Sequence, residues 1–500
     1  MTATFWALVP PVLAIIISLI TKEVNLSLIA GIIVGGLLFC NLDPFVTMIT
    51  VFDIMSKKIQ GNMGVLIFII LLGMIIHLME LSGASHRYAK WAAGKLKSKR
   101  QSLIATLALG LIIFVDDYFN CVTVGTVMQP ITDKYKVSRE KLSYIIDATA
   151  APICIVAPLS SWAAAVSSSM PDGSSIDGFT LFLKTIVCNY YTWFTLAMIL
   201  FTSLFAVDFG KMKAYENKAS RTRDDNSGRE NSKNEKAPGK VIDLLLPVAF
   251  LIVLSILAMI YTGGFFTGQA ADLGEAFANC DAITSLAMGA FFTVVLMAIL
   301  YLTREIVTPK QFLGSLVEGF NRMVPTILIL TFAWTLSGIC GSDYLDAGGF
   351  VAGVVEKYNI SMNYMPAILF LVSFILAFST GTSWGTFGIL IPITVSVFGD
   401  QMTPVMVMTT AAVLGGSVCG DHLSPISDTT ILSSAGAGCE HISHVESQMP
   451  YGLLIAAITF IFYIISGISE NKIIGLAGGV LTVLVLTAIL KFSQGAVKNK

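Results

Sequence analysis

Five aspartates, Asp116, Asp117, Asp147, Asp421 and Asp428, stand in otherwise apolar stretches beside hydroxyl and amide side chains. The first half of the chain supplies Asn120, Ser160 and Ser161. The second supplies Thr380, Thr382, Ser383, Thr386, Ser424, Ser427 and Thr429, with His422 next to Asp421. An ionised carboxylate in an apolar medium costs ~2.5 kcal/mol or more even on insertion scales, so such groups point to ion or proton handling. Carboxylate, hydroxyl and carbonyl oxygens are hard ligands that suit a small hard cation such as Na+. Burial raises an Asp pKa and a bound cation lowers it, so Na+ and H+ can exchange at one site by competing for it. Asp421 and Asp428, seven apart in a run rich in Gly, Ser, Thr and Pro, are the first candidates for Na+ ligands, and Asp116 and Asp117 the second. Asp147 suits a cation or proton site and equally a cap on a helix break. His422 titrates nearest physiological pH and is the candidate proton relay.

Other features read more plainly. GTSWGT (381–386) is also what close helix packing uses. His77, alone on an apolar span, reads as a packing residue. The cluster Cys439-Glu440-His441 with His444 has metal-like residue types without metal-like spacing, in what reads as a cytoplasmic loop. The eight cysteines show no CxxC and no paired pattern, so neither a disulfide framework nor a zinc module is indicated.

The elements that must position these groups follow from composition. The 500 residues are 55% hydrophobic and only 13% charged, where soluble domains carry about 25%. That balance excludes a soluble enzyme or a disordered chain, and a net charge of −1 points to no nucleic-acid partner. No cofactor motif is evident, and the partners indicated are membrane lipid, small ions and, as an alternative, a small organic substrate. A span needs ~20 apolar residues. Plain candidates lie at about 4–21, 25–41, 62–82, 179–207, 241–262, 285–303, 322–340, 449–468 and 472–490. The first lacks a basic leader and a cleavage site and reads as a retained span. Residues 102–131 and 363–397 are apolar at both ends with a polar middle, and residues 142–168 and 405–436 carry Asp, Pro and hydroxyls in their centres. Broken backbone at membrane depth is tolerated only where protein or a wet cavity satisfies it. The four stretches therefore read as two re-entrant hairpins and two unwound helices.

With that folding, 26 of the 31 Lys and Arg fall on one side of the membrane and Lys57, Lys58, Lys184, Lys357 and Lys472 on the other. The basic side is expected to be cytoplasmic, with the N-terminus outside, the C-terminus inside and the host membrane the cytoplasmic (inner) one. The charged segment 211–240 reads as a cytoplasmic linker between repeats at 1–210 and 241–445, with C-terminal helices over 446–500. PICIVAPLSS (152–161) and PISDTTILSS (425–434) match at five of ten places, and the order of elements repeats. The halves are thus expected to be inverted repeats, an arrangement of secondary transporters that puts the binding site near the midplane. The fold class expected is all-α and polytopic, with about 11 transmembrane helices plus the two hairpins and two unwound helices.

FVDDYFN (114–120), VGTVMQPITDKYKVSREKLSYIIDATAAP (124–152), GTSWGTFGILIPI (381–393), GDHLSPISDTTILSSAGAG (420–438) and HISHVESQMPY (441–451) together resemble the NhaC-type sodium/proton antiporters, whose relatives exchange malate and lactate or carry amino acids. The resemblance covers nearly the whole chain. It implies sodium/proton antiport, with Na+- or H+-coupled movement of a carboxylate or amino acid as the alternative. The wider ion-transporter superfamily implies a homodimer with an elevator-like transport domain. Hairpin tips would then lie at Asp116 to Asn120 and Thr380 to Thr386, and unwound helices at Asp147 to Ser161 and Gly420 to Ser434. The Ser-Asn-Thr hairpin signature of the dicarboxylate symporters is absent, which argues against a citrate- or succinate-like substrate.

Overall fold

The computed structural model describes residues 2–21, 23–84, 87, 95–171, 174–221, 239–270, 272–273, 276, 279–347, 349–350, 353, 357, 361–399, 401–425 and 427–498. Residues 222–238 of the charged linker lie outside them. The described residues contain helices and no strand. Seven helices are long and apolar enough to cross a membrane, or up to nine if two bent pairs each count as a span. The chain is a multi-pass membrane protein.

The helices are α1 (Val9–Thr21), α2 (Val24–Phe39), α3 (Pro44–Gly61), α4 (Met63–Leu81), α5 (Lys99–Ile112), α6 (Asp117–Lys134), α7 (Arg139–Cys154), α8 (Ser161–Ser167), α9 (Gly178–Thr185) and α10 (Tyr190–Phe205). After them come α11 (Gly210–Arg221), α12 (Ile242–Thr262), α13 (Ala282–Thr303), α14 (Pro309–Cys340), α15 (Met365–Thr380), α16 (Ser383–Val397), α17 (Pro404–Leu423), α18 (Asp428–Ala437), α19 (His441–Ser469) and α20 (Lys472–Lys498). Local sequence sets many of the starts. The Ser138, Ser160, Asp177 and Ser427 side chains accept from backbone N–H groups of the helices that follow them, removing donors that have no intrahelical partner. Thr308 and Gln311 close a reciprocal capping box ahead of Pro309.

All four irregular stretches contain helix breaks: 113–116 between α5 and α6, 155–160 between α7 and α8, 381–382 between α15 and α16, and 424–427 between α17 and α18. Elsewhere the helices depart from the hydropathy ruler. The span at 25–41 turns back through 118° into α3, with Asn41 and Leu42 at positive φ and Asp43 capping the new helix. The stretch 179–207 divides into α9, a 3-10 turn at Ile186–Cys188 and α10. Residue 322 falls inside α14, which begins at Pro309 and bends by 42° near Pro325.

The centre of the fold is α17, 94% of whose span is buried inside the protein. It presses on α15 through a Gly-x-x-x-Gly pair: a Cβ on Gly416 or Gly420 would strike the carbonyl oxygens of Phe370 and Phe374. Without a hydrophobic force between helices in lipid, such close backbone approach and its van der Waals contact hold them together. Ser373 adds a hydrogen bond from its hydroxyl to the Val413 carbonyl at 2.6 Å.

Candidate functional site

The breaks bring the two halves of the chain against one another. In the first half, Asn120 donates both amide hydrogens, to Gly110 O at 2.8 Å and Ile113 O at 2.7 Å, and so closes the end of α5. The Ser161 backbone N–H reaches Val115 O at 2.9 Å, which fixes the start of α8 beside that break. Asp116 then accepts from the Ser161 hydroxyl at 3.3 Å, and Asp117 from the Trp162 indole at 3.2 Å. Both aspartates are buried, at 3% and 1% exposure.

In the second half, Asp421 on the last turn of α17 accepts from the Ser383 hydroxyl at 2.7 Å and from the Ser383 backbone N–H at 3.3 Å. The carboxylate thus sits at the N-terminus of α16, where the helix dipole favours negative charge. Trp162 and Trp384 connect the two ends, with ring centroids 5.6 Å apart and Phe387 against both. The series Asp117, Trp162, Trp384, Ser383, Asp421 therefore runs from one half to the other. A second crossing packs α6 on α18: a Cβ on Gly125 would lie 2.7 Å from Gly436 Cα, and Ser433 donates to Cys121 Sγ at 3.3 Å.

Several expected ligands bond the backbone. The Ser160 hydroxyl reaches Cys154 O at 2.7 Å and caps α8, and the Thr386 hydroxyl turns back to Thr382 O at 2.9 Å. Asn120 spends its amide hydrogens on the backbone at the end of α5, leaving only its buried Oδ1 without a partner. The Ser427 hydroxyl shares a hydrogen bond with Thr429 at 3.0 Å and caps α18. Ser424 and Thr382 are buried at the breaks. Asp428 is the first residue of α18, but its side chain and that of Thr380 lie outside what the structure describes.

Asp147 belongs to a different cluster. Gln448 donates to its Oδ2 at 3.0 Å and His444 Nε2 lies 3.2 Å from the same oxygen, with His422 Nε2 at 4.0 Å. His422 turns toward Tyr191, whose hydroxyl is 2.7 Å from Nδ1, and Tyr144 stacks on its ring. Gln448 also donates to the His422 carbonyl at 2.6 Å. Three expectations change here. Asp147 is no helix cap, because it lies within α7. His422, though next to Asp421 in sequence, consorts with Asp147. His444 is not in a loop but is fully buried in α19. Lys141, one turn or more before Asp147, is buried in α7 and pairs with Asp208 at 2.7 Å, beneath the rings of Tyr144 and Tyr451. His444, Gln448 and Tyr451 follow one another at helical spacing within HISHVESQMPY, which was the available signal for this face. Among the described residues no group of three or more His, Cys, Asp or Glu is arranged to hold a metal ion.

Buried carboxylates at helix breaks inside a multi-pass helical fold define a membrane transporter rather than a packed structural bundle. The chain belongs to the Na+/H+ antiporter family, whose model matches residues 161–468. An uncharacterized protein of Haemophilus influenzae is 35% identical over 98% of this chain and 96% of its own. Shorter matches are the malate-2H(+)/Na(+)-lactate antiporter of Bacillus subtilis, 28% identical over 32% of this chain and 33% of that protein, and an uncharacterized Na(+)/H(+) antiporter of Haemophilus influenzae, 30% identical over 30% and 32%. The arginine/ornithine antiporter ArcD of Halobacterium salinarum is 33% identical over 20% of each.

Proposed function

We propose that the protein exchanges Na+ for H+ across the cytoplasmic membrane. The observation that carries this reading is Asp421, buried at 3% exposure and held by Ser383 where the end of α17 meets the start of α16. A carboxylate, a hydroxyl and carbonyls freed by the break are the oxygen donors a small hard cation needs. Asp428 would enter the same shell, with Asp116 and Asp117 serving the break of the first half. Two inverted repeats, with α5–α6 and α15–α16 as re-entrant hairpins, would carry these groups in an elevator-like domain. A cytoplasmic linker and C-terminus and a homodimeric assembly complete the proposal. Acid-loaded liposomes holding the purified protein test it: Na+ or Li+ should alkalinise the lumen, and silence toward both cations overturns the reading.

The second reading, coupled exchange of an amino acid or a carboxylate such as malate or lactate, is favoured by Trp384. Its indole N–H is buried without an acceptor close to Trp162, which sits on Asp117. An amino acid would place its ammonium toward Asp117 and its carboxylate toward Trp384. The malate/lactate and arginine/ornithine relatives support testing both substrate classes.

A further inference from the structure

We propose that Asp147 and His444 carry the transported proton, at a site separate from the Asp421 cation site and tied to it through Gln448. This rests on the antiport reading above. A carboxylate oxygen accepts, so the 3.2 Å contact with Asp147 makes His444 Nε2 a donor and leaves Nδ1 as a lone-pair acceptor. That Nδ1 is buried with no partner. Gln448 donates to both Asp147 and the His422 carbonyl, and flipping the amide would set oxygen against oxygen, so its Oε1 is a second buried acceptor without a donor. Two orphaned acceptors one helical turn apart beside a buried carboxylate form a site short of a hydrogen, and buried polar atoms of this kind call for an explanation.

The surrounding charges allow one proton to supply it. From α7 itself come Lys141 and Tyr144; Lys141 is neutralised by Asp208, which follows α10, and Tyr451 on α19 donates to the same carboxylate at 2.9 Å. Tyr191 on α10 meets Nδ1 of His422 on α17, whose Nε2 faces Asp147 at 4.0 Å and is buried without a hydrogen-bond partner. Of the two imidazoles facing Asp147 only His444 is in hydrogen-bond contact with it, and with Asp147 and His444 at 2% and 0% exposure a single added proton gives a neutral carboxylate–imidazolium pair. On loading, the Nδ1 lone pair of His444 takes H+. On unloading, that N–H bond breaks and the proton leaves to water. Gln448 holds the Asp147 carboxylate to the backbone of His422, one residue from Asp421, so the proton state of one site bears on the geometry of the other.

Two coupled sites differ measurably from one shared site. Competition for one site lowers Na+ affinity without limit as pH falls, whereas two sites give a finite change that levels off, typically about 5- to 150-fold. Na+ affinity would be measured across pH on the purified full-length protein, with a pH indicator recording H+ released on adding Na+. The wild type should release protons and show a plateau. Asp147→Asn and His444→Gln should still bind Na+ but lose both the release and the pH dependence, while Asp421→Asn should lose Na+ binding itself. Asp147→Asn, which keeps the side-chain shape, guards against a folding defect in His444→Gln. Unchanged release and pH dependence in both variants, or loss of Na+ binding in both, overturns the separate proton site alone. A wild type that releases no proton overturns the antiport reading and this site with it.

Discussion

Asp421 and His422 are consecutive residues on the last turn of α17, yet their side chains serve different neighbours: Asp421 takes the Ser383 hydroxyl at 2.7 Å, and His422 lies 2.7 Å from the Tyr191 hydroxyl. Neighbouring residues on a helix point about 100° apart. One turn of backbone thus touches the α16 break on one side and the Asp147 cluster on the other, so a displacement at either reaches the other through bonded atoms.

Removing the Ser383 hydroxyl should weaken the cation site without unfolding it. A hydrogen bond to a charged group is worth ~1.5–3 kcal/mol, so Ser383→Ala should raise the Na+ concentration for half-maximal exchange by about ten-fold or more, and Ser383→Thr should recover part of the loss. Proton-flux titrations in liposomes measure both.

The Lys141–Asp208 pair should govern stability. Breaking a buried pair from one side leaves a charge stranded and typically costs ~3–5 kcal/mol. Lys141→Met should therefore lower the melting temperature in detergent more than Lys141→Met combined with Asp208→Leu, a non-additivity that marks a direct interaction. A double change whose effect equals the sum of Lys141→Met and Asp208→Leu measured singly would show the pair to be energetically idle.

Packing of α17 on α15 should tolerate no side chain. Gly420→Val would drive its Cβ into the carbonyl of Phe374, and the expected result is loss of monodisperse protein in size-exclusion chromatography.

Cys439, between α18 and α19, should resist modification. Burial pushes its thiol up to about 12 from 9.0, against a smaller lowering by a hydrogen bond with Ser143. At pH 7.5 the folded protein should react with a maleimide more than about ten-fold more slowly at this position than the unfolded chain, because the thiolate is the nucleophile. The stability linked to this group is present below pH 9 and is lost as pH rises toward 12, where the unfolded chain gives up a proton that the folded thiol keeps.

The helix breaks were legible because Gly, Pro and polar residues interrupt apolar runs at Asp116, Pro158, Gly381 and Pro425, where lipid cannot satisfy the backbone. The burial of Asp116, Asp117, Asp147, Asp421 and His422 followed from the same logic. His444 and Lys141 escaped it. Hydropathy measures fitness for lipid, and both residues face protein partners that offset their cost: Asp147 for one, Asp208 and two tyrosine rings for the other. The backbone bonds of Ser160 and Thr386 were not legible, because a hydroxyl that caps a helix or bonds its own backbone looks, in sequence, the same as one that binds an ion. Helix α3 was missed because its polar, Lys-bearing end resembles a loop, although Asp43-Pro44 is a legible start.

The most direct test of cation/proton exchange at Asp421 is uptake of radioactive Na+ into liposomes with an acidic interior and no Na+ gradient. Wild-type protein should accumulate Na+ above the outside concentration until a protonophore, with the membrane potential clamped, dissipates the pH gradient, and Asp421→Asn should leave only the leak of empty vesicles. Accumulation by Asp421→Asn equal to wild type, or no accumulation by either, would contradict the account.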